Sequence, residues 1–123
     1  STGIMTQRAL EAATLLENQG ISSGVLHLHT IKPIDQQLLV KIVSGVRLVV
    51  TVEEHVLIGG IGSAVLETLH DSRGATNGSF PKVLRLGIPD SFSNRYGSQD
   101  SLLDFWGLSV EGIVKSVTLN IAT

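Results

Sequence analysis

Cysteine is absent from this 123-residue chain. That excludes disulfides, thiolate nucleophiles and cysteine-type zinc sites together, and it fits a reducing compartment. Charge of one sign is absent too. Nine basic residues face eleven acidic ones, a formal charge of -2, so the basic footprint of a nucleic-acid binder is missing and no nucleic-acid partner is expected. No apolar run approaches the ~18 residues of a membrane helix, and no membrane partner is expected. Ser1-Thr2-Gly3 carries neither an initiator Met nor a charged-then-apolar leader. The expectation is an internal piece of something longer, working in the cytoplasm.

What is present reads as one folded domain over residues 1–123. The hydrophobic fraction is 42% against 16% charged, which is a globular balance rather than a disordered one. A chain of this size can bury about two-thirds of its unfolded surface. Residues 4 to 19 predict an amphipathic helix with Met5, Ala9, Ala12 and Leu16 on one face. Gly20 supplies a left-handed end, and Ile21 closes onto Leu16. Val25 to Thr30 predicts a strand, Leu26 and Leu28 on one face, Val25, His27 and His29 on the other. Pro33 is expected to hold the chain extended on either side of itself. Asp35 caps a helix to about Val43, which Gly45 ends.

Val46 to Val52 is almost continuously apolar. That pattern belongs to a strand covered on both faces, hence to a parallel sheet between helix layers. Glu53, Glu54 and His55 are expected just beyond its carboxyl end. The glycine turn Gly59-Gly60-Ile61-Gly62 then opens a helix to about Asp71 that carries Ile61, Val65, Leu66 and Leu69. Residues 71 to 81 predict a mobile surface loop, Lys82 to Ile88 a strand, and Pro89 to Gly97 a turn-rich connection. Helices at about 98–106 and 109–121 close the chain, the second capped by Ser109. Alternating strands and helices predict a doubly wound α/β fold in three layers, α/β/α.

Few constellations carry chemistry. Gly60-Ile61-Gly62-Ser63-Ala64-Val65 has valine where a dinucleotide fingerprint needs its third glycine, and no Walker loop or G-x-S-x-G elbow occurs. Gly59, Gly60 and Gly62 are expected to let the chain turn sharply and the helix start close to the sheet; the alternative is anion binding at the helix N-terminus. A positive φ at Gly60 would make replacement by Val cost more than ~1 kcal/mol through strain. Glu53, Glu54 and His55 could form an acid–base pair or an oxygen-rich metal site. The favoured reading has one glutamate accepting from N–H groups of the glycine turn, since adjacent residues on an extended chain point apart. The set Glu53, Glu54, His55, Gly59, Gly60 and Gly62 is the candidate anion or interface site. His27 and His29 share a strand face but lack a third zinc ligand. Phe105 and Trp106, beside Leu102 and Leu103, are expected as core anchors, or else as an interface hot spot.

Several runs, taken in order, resemble a known family. They are Ser1-Thr2-Gly3-Ile4-Met5, Ala9-Leu10-Glu11-Ala12-Ala13, His29-Thr30-Ile31-Lys32-Pro33-Ile34-Asp35, Val50-Thr51-Val52-Glu53-Glu54-His55, Gly59-Gly60-Ile61-Gly62-Ser63-Ala64-Val65, Leu86-Gly87-Ile88-Pro89-Asp90, and Gly107-Leu108-Ser109 with Ile113. Together they resemble the transketolase C-terminal domain, most of all in split, two-chain transketolases. Deoxyxylulose-phosphate synthase and the beta subunit of 2-oxo acid dehydrogenase decarboxylating components share that domain. The resemblance implies a non-catalytic assembly or regulatory domain of an enzyme moving two-carbon ketol units between sugar phosphates, as in the pentose phosphate route. It implies that thiamine diphosphate and Mg are held by other domains, with no catalytic, cofactor or metal residue carried onto this chain. It implies the remaining transketolase domains or an N-terminal subunit as partners, and a homo-oligomer, a dimer first of all. In a dehydrogenase parent the stretch from Trp106 to Thr123 would be a docking surface. A stand-alone anion- or nucleotide-binding module is the remaining alternative.

The family's sheet is mixed and five-stranded, its second strand central between the third and fourth. Matched to it, this chain lacks the first strand and most of the second. Val25–Thr30 and Val46–Val52 would then either pair directly or flank a place filled by other residues or another chain.

Overall fold

The computed structural model describes residues 1–72 and 81–121. In chain order the elements are α1 (Met5–Asn18), α2 (Gln36–Val43), β1 (Leu48–Val56), α3 (Ile61–Asp71), β2 (Lys82–Ile88), α4 (Gln99–Phe105) and α5 (Val110–Ile121). The core of the predicted 71–81 loop lies outside the described residues.

Strands β1 and β2 pair in parallel, Leu48 opposite Lys82 through Val52 opposite Leu86, then Val56 opposite Ile88 past an irregularity. Each face of this ribbon is covered. Val52, with Leu48 and Val50 beside it, packs into a core built from Met5, Ala12 and Leu16 of α1 and Ile113, Val114 and Val117 of α5. Val49 and Val83 turn the other way, onto Leu39 and Val43 of α2 and Ile61, Val65 and Leu69 of α3. Helices thus sandwich a parallel sheet in three layers, as the almost continuous apolar run of residues 46–52 predicts.

Helix ends follow the predicted chemistry. Gly20 has φ 77°. Its N–H donates to Glu17 O, and the Ile21 N–H donates to Leu16 O, both at 2.9 Å. That reciprocal pair closes a helix and folds Ile21 back on it. Asp35 accepts from Leu38 N at 3.0 Å, and Ser109 accepts from Gly112 N at 3.0 Å. Ser98 caps α4 in the same way, accepting from Ser101 N at 3.2 Å.

Four expectations need correction. Strand β1 starts two residues later than Val46 and runs on to Val56, because β2 continues to offer partners up to Ile88. Glu53, Glu54 and His55 are therefore inside the strand, not beyond it. Lys32–Pro33 is a cis peptide within a turn, so the chain does not stay extended there. Phe105 is exposed and Trp106 only half-buried, their rings 4.7 Å apart edge to face. The buried anchors of this region are Leu103 and Leu108.

The fourth correction concerns residues 25–30, which form no strand. Their alternation is as read: Leu26 and Leu28 turn into the α2–α3 core, His27 and His29 face outward. Their ladder is missing. Among the described residues the sheet contains β1 and β2 alone, so direct pairing of 25–30 with β1 does not occur. A single rung is present instead. Ser1 N donates to Leu26 O at 3.0 Å, and Leu28 N donates to Ser1 O at 2.9 Å. This is the two-bond pattern of a parallel bridge centred on His27.

Candidate functional site

The pleat of β1 decides what its acidic end can do. Successive side chains leave a strand on opposite faces. Glu53 goes inward and is 1% exposed; Glu54 and His55 stay at the surface. The carboxylate of Glu53 lies under the first turn of α3, where Oε2 accepts from Ile61 N at 2.8 Å and Oε1 from Gly62 N at 3.0 Å. Two of the four free N–H groups of a helix start are satisfied at once, and a negative charge sits at the positive end of the helix dipole. A fully buried carboxylate is tolerated only with such partners.

The glycines make this contact possible. A Cβ on Gly60 would lie 1.8 Å from Glu53 Oε2, and one on Gly62 2.8 Å from Thr51 Oγ1. Gly60 itself has φ -84°, so backbone strain is not what requires glycine there, and the strain argument for Gly60 is corrected. The left-handed residue of the turn is Gly59, at φ 76°. Beside it, Ser63 Oγ accepts from Gly59 N at 3.0 Å and donates to Leu57 O at 3.1 Å. Arg85, on β2, donates to the same Leu57 O at 3.1 Å. The segment 57–63 is thereby fixed from below by Glu53 and from the side by Arg85.

Around this platform lies an open cleft of about 390 Å³ whose walls include Thr2, Gly3, Ile31, Glu54, His55 and Gly60. The structure brings five of the six candidate residues to it directly, and Gly62 joins them through Glu53. They do not converge as an acid–base pair. Glu54 is held by Gln99 at the start of α4. His55 Nδ1 is 2.7 Å from Val56 O; a carbonyl only accepts, so Nδ1 is the donor in this contact. An incoming anion would meet Glu53 already occupying the α3 N-terminus. His27 and His29 bond Thr6 and Thr30 respectively, and no three metal-competent side chains cluster among the described residues.

Sequence reading missed Arg85 and Arg8. Arg85 interrupts the apolar run Lys-Val-Leu-Arg-Leu-Gly-Ile of β2, and a charge inside such a run is the signal that it has a fixed task. Arg8 left no comparable mark. It donates to Asp100 at 2.7 Å, to Asp104 at 2.8 Å and to Leu108 O at 2.8 Å, binding α1 to α4 and the turn before α5 across ninety residues. Burial works against its charge, but the hydrogen bonds and attraction of Asp104 and Asp100 outweigh it and raise its pKa.

Comparison with known proteins adds to this geometry. Residues 1–113 match the family described as Transketolase, C-terminal domain. A 1-deoxy-D-xylulose-5-phosphate synthase of Caldanaerobacter subterraneus subsp. tengcongensis is 39% identical over 115 residues, which is 94% of this chain and 18% of that protein. A Methanocaldococcus jannaschii protein named as a transketolase C-terminal section is 42% identical over 117 residues, 95% of this chain and 34% of that protein. Among solved structures, a split-gene transketolase, an inactive beta4 tetramer, superposes with a TM-score of 0.83 at 39% identity, covering 98% of this chain and 37% of the other. The chain thus spans 18% and 34% of the length of these two relatives.

Proposed function

The chain belongs to the transketolase C-terminal domain family, and on that premise we propose that it serves as the non-catalytic assembly domain of a transketolase-type enzyme. The whole enzyme would move two-carbon ketol units between sugar phosphates in the cytoplasm, using thiamine diphosphate and Mg. The observation that carries this reading is the likeness to a split-gene transketolase over 98% of the chain. In our reading the coenzyme is gripped outside these residues. In support, both oxygens of Glu53 are engaged by α3, Glu54 by Gln99, and Nδ1 of His55 by Val56 O. A divalent ion needs several convergent oxygens, and these do not converge. The cleft around Glu54, His55, Gly59 and Gly60 would instead be a contact face toward the thiamine-binding portion.

The place between residues 25–30 and β1 would receive an extended strand of the parent assembly. The rung between Ser1 and residues 26 and 28 supports this, because it already follows the path of a parallel strand. We further propose self-association, in keeping with the beta4 assembly of the split-gene neighbour.

Reconstitution tests the reading. The chain alone should turn over no sugar phosphate, and addition of the thiamine-binding section of its parent enzyme should restore ketol transfer. Turnover by the chain alone would overturn the proposal. A 1-deoxy-D-xylulose-5-phosphate synthase parent is the second reading, favoured by relatives of that name. A reconstituted enzyme that uses a 2-oxo acid donor in place of a ketose phosphate would select it.

A further inference from the structure

We propose that loop 89–98, backed by Phe105 and Trp106, docks onto an apolar surface of the thiamine-binding section that carries a carboxylate; the proposal rests on the assembly role put forward above and names its contact residues. The chain has five aromatic residues. Phe80 lies outside the described residues, and the other four fall within residues 92–106. None of the four is buried, and Phe92 and Tyr96 are fully exposed. Aromatic side chains ordinarily dominate a core by the area they bury. Here the buried residues of both cores are aliphatic, and the aromatic surface is held back from them. Single exposed apolar residues need no explanation, but two bare rings in one loop beside a stacked pair do.

Arg95 selects the occupant. Its guanidinium lies over the Phe105 ring, 4.3 Å from the centroid, and Phe105 meets Trp106 edge to face. Stacking fixes the guanidinium plane and leaves its N–H edge to donate. Among the described residues no acid meets it: Asp100 and Asp104 of α4 are committed to Arg8, and Glu54 is engaged by Gln99. An oriented fork of N–H donors takes a carboxylate or a phosphate through two parallel hydrogen bonds. Asp90, Asp100 and Asp104 stand in the same stretch and repel a nucleic-acid backbone or an anionic membrane. That favours a carboxylate on a protein surface, and Arg, Tyr and Trp are the residue types that carry most binding energy in such contacts. The loop's position names the protein. It starts where Leu57 N donates to Ile88 O at 2.9 Å and ends where Gln99 meets Glu54. Glu54 lines the cleft read above as the contact face toward the thiamine-binding section, so the loop continues that face and one partner reaches both.

Binding of the chain to the thiamine-binding section tests this, read by surface plasmon resonance at several salt concentrations. Phe92→Ala and Tyr96→Ala should each weaken binding about tenfold or more. Arg95→Gln should do the same and flatten the salt dependence. Arg95→Lys, which keeps the charge but loses the fork, should recover only part of the affinity. Ile42→Ala, at an exposed position of α2 in the other helix layer, should bind like wild type. Circular dichroism checks that each variant is folded. If the wild-type chain binds and restores ketol transfer while the loop variants bind as tightly, the docking proposal falls and the assembly role stands. If the wild-type chain does not bind that section, both fall. A loss seen in self-association of the chain, with binding to the section unchanged, would place a second copy on the loop and also overturn the proposal.

Discussion

Replacing Glu53 by Gln should destabilise the protein more than any comparable exchange at an acidic position of its surface. The exchange keeps shape and removes charge. One amide oxygen can still accept from α3, but the amide NH2 then faces the other backbone N–H, donor against donor. A hydrogen bond to a charged group contributes about 1.5–3 kcal/mol, and a buried donor left unpaired costs a similar amount. Loss of the charge from the helix start adds about 0.3–1 kcal/mol. Partial reorientation and entry of water from the adjoining cleft reduce the sum, giving an expected loss of about 2–3 kcal/mol. For a domain of this size that lowers Tm by roughly 6–12 °C. Thermal and urea denaturation followed by circular dichroism measure it. Glu54→Gln is the internal control: its partner Gln99 is exposed, and the change should stay within about 0.5 kcal/mol.

Gly60→Ala extends the same argument. The new methyl would lie 1.8 Å from Glu53 Oε2, so it must expel the carboxylate, with an expected cost of about 2–3 kcal/mol and no φ strain. Because both changes break one contact, they should not add. In a Glu53→Ala background, Gly60→Ala should cost less than about 1 kcal/mol. Additive losses, or a Glu53→Gln variant as stable as Glu54→Gln, would refute the idea that this carboxylate caps α3.

Thr51→Val should raise stability by about 1 kcal/mol, since the buried Thr51 hydroxyl has no hydrogen-bond partner among the described residues and valine matches its shape; an unchanged or lower urea midpoint would count against it. Arg8→Met should cost about 1–2 kcal/mol by leaving Leu108 O and two aspartates without their donor, whereas Asp100→Asn, at a side chain 81% exposed, should stay within about 0.5 kcal/mol. Ser109→Ala should cost about 1 kcal/mol through loss of the α5 cap, read in the same melts.

What the sequence made legible is local. The left-handed Gly20 with Ile21 returning to Leu16, the caps at Asp35 and Ser109, and the doubly covered apolar run of β1 each depend on a few neighbouring residues. The opposed directions of Glu53 and Glu54 follow from the pleat alone. Less legible were features that depend on a distant partner. Strand β1 outlasts Val52 because β2 is long enough to meet it. The need for glycine at position 60 comes from a carboxylate seven residues earlier, not from its own backbone angles, and only the folded chain places the two together. Arg8 is wholly of this kind, its three acceptors being more than ninety residues away.

Residues 25–30 show the limit most sharply. Leu26, Leu28, His27 and His29 alternate as strand residues do, and the alternation does its physical work by sending leucines inward and histidines outward. Whether such a segment is a strand is decided by what lies beside its backbone, which periodicity cannot report. Here one residue, Ser1, lies beside it, and one rung forms. Side-chain pattern and backbone pairing are therefore separable: the first is written in the segment, the second in its neighbour. A domain can then keep the inward face of an edge fully specified while the hydrogen bonds of that edge await another strand. Amide exchange follows from it. Among residues 25–30, Leu28 N–H should exchange more slowly than its neighbours, because it alone donates to Ser1 O, and the others should become protected on assembly with the thiamine-binding section. Protection already uniform across 25–30 in the isolated chain would mean that the edge is paired without a partner.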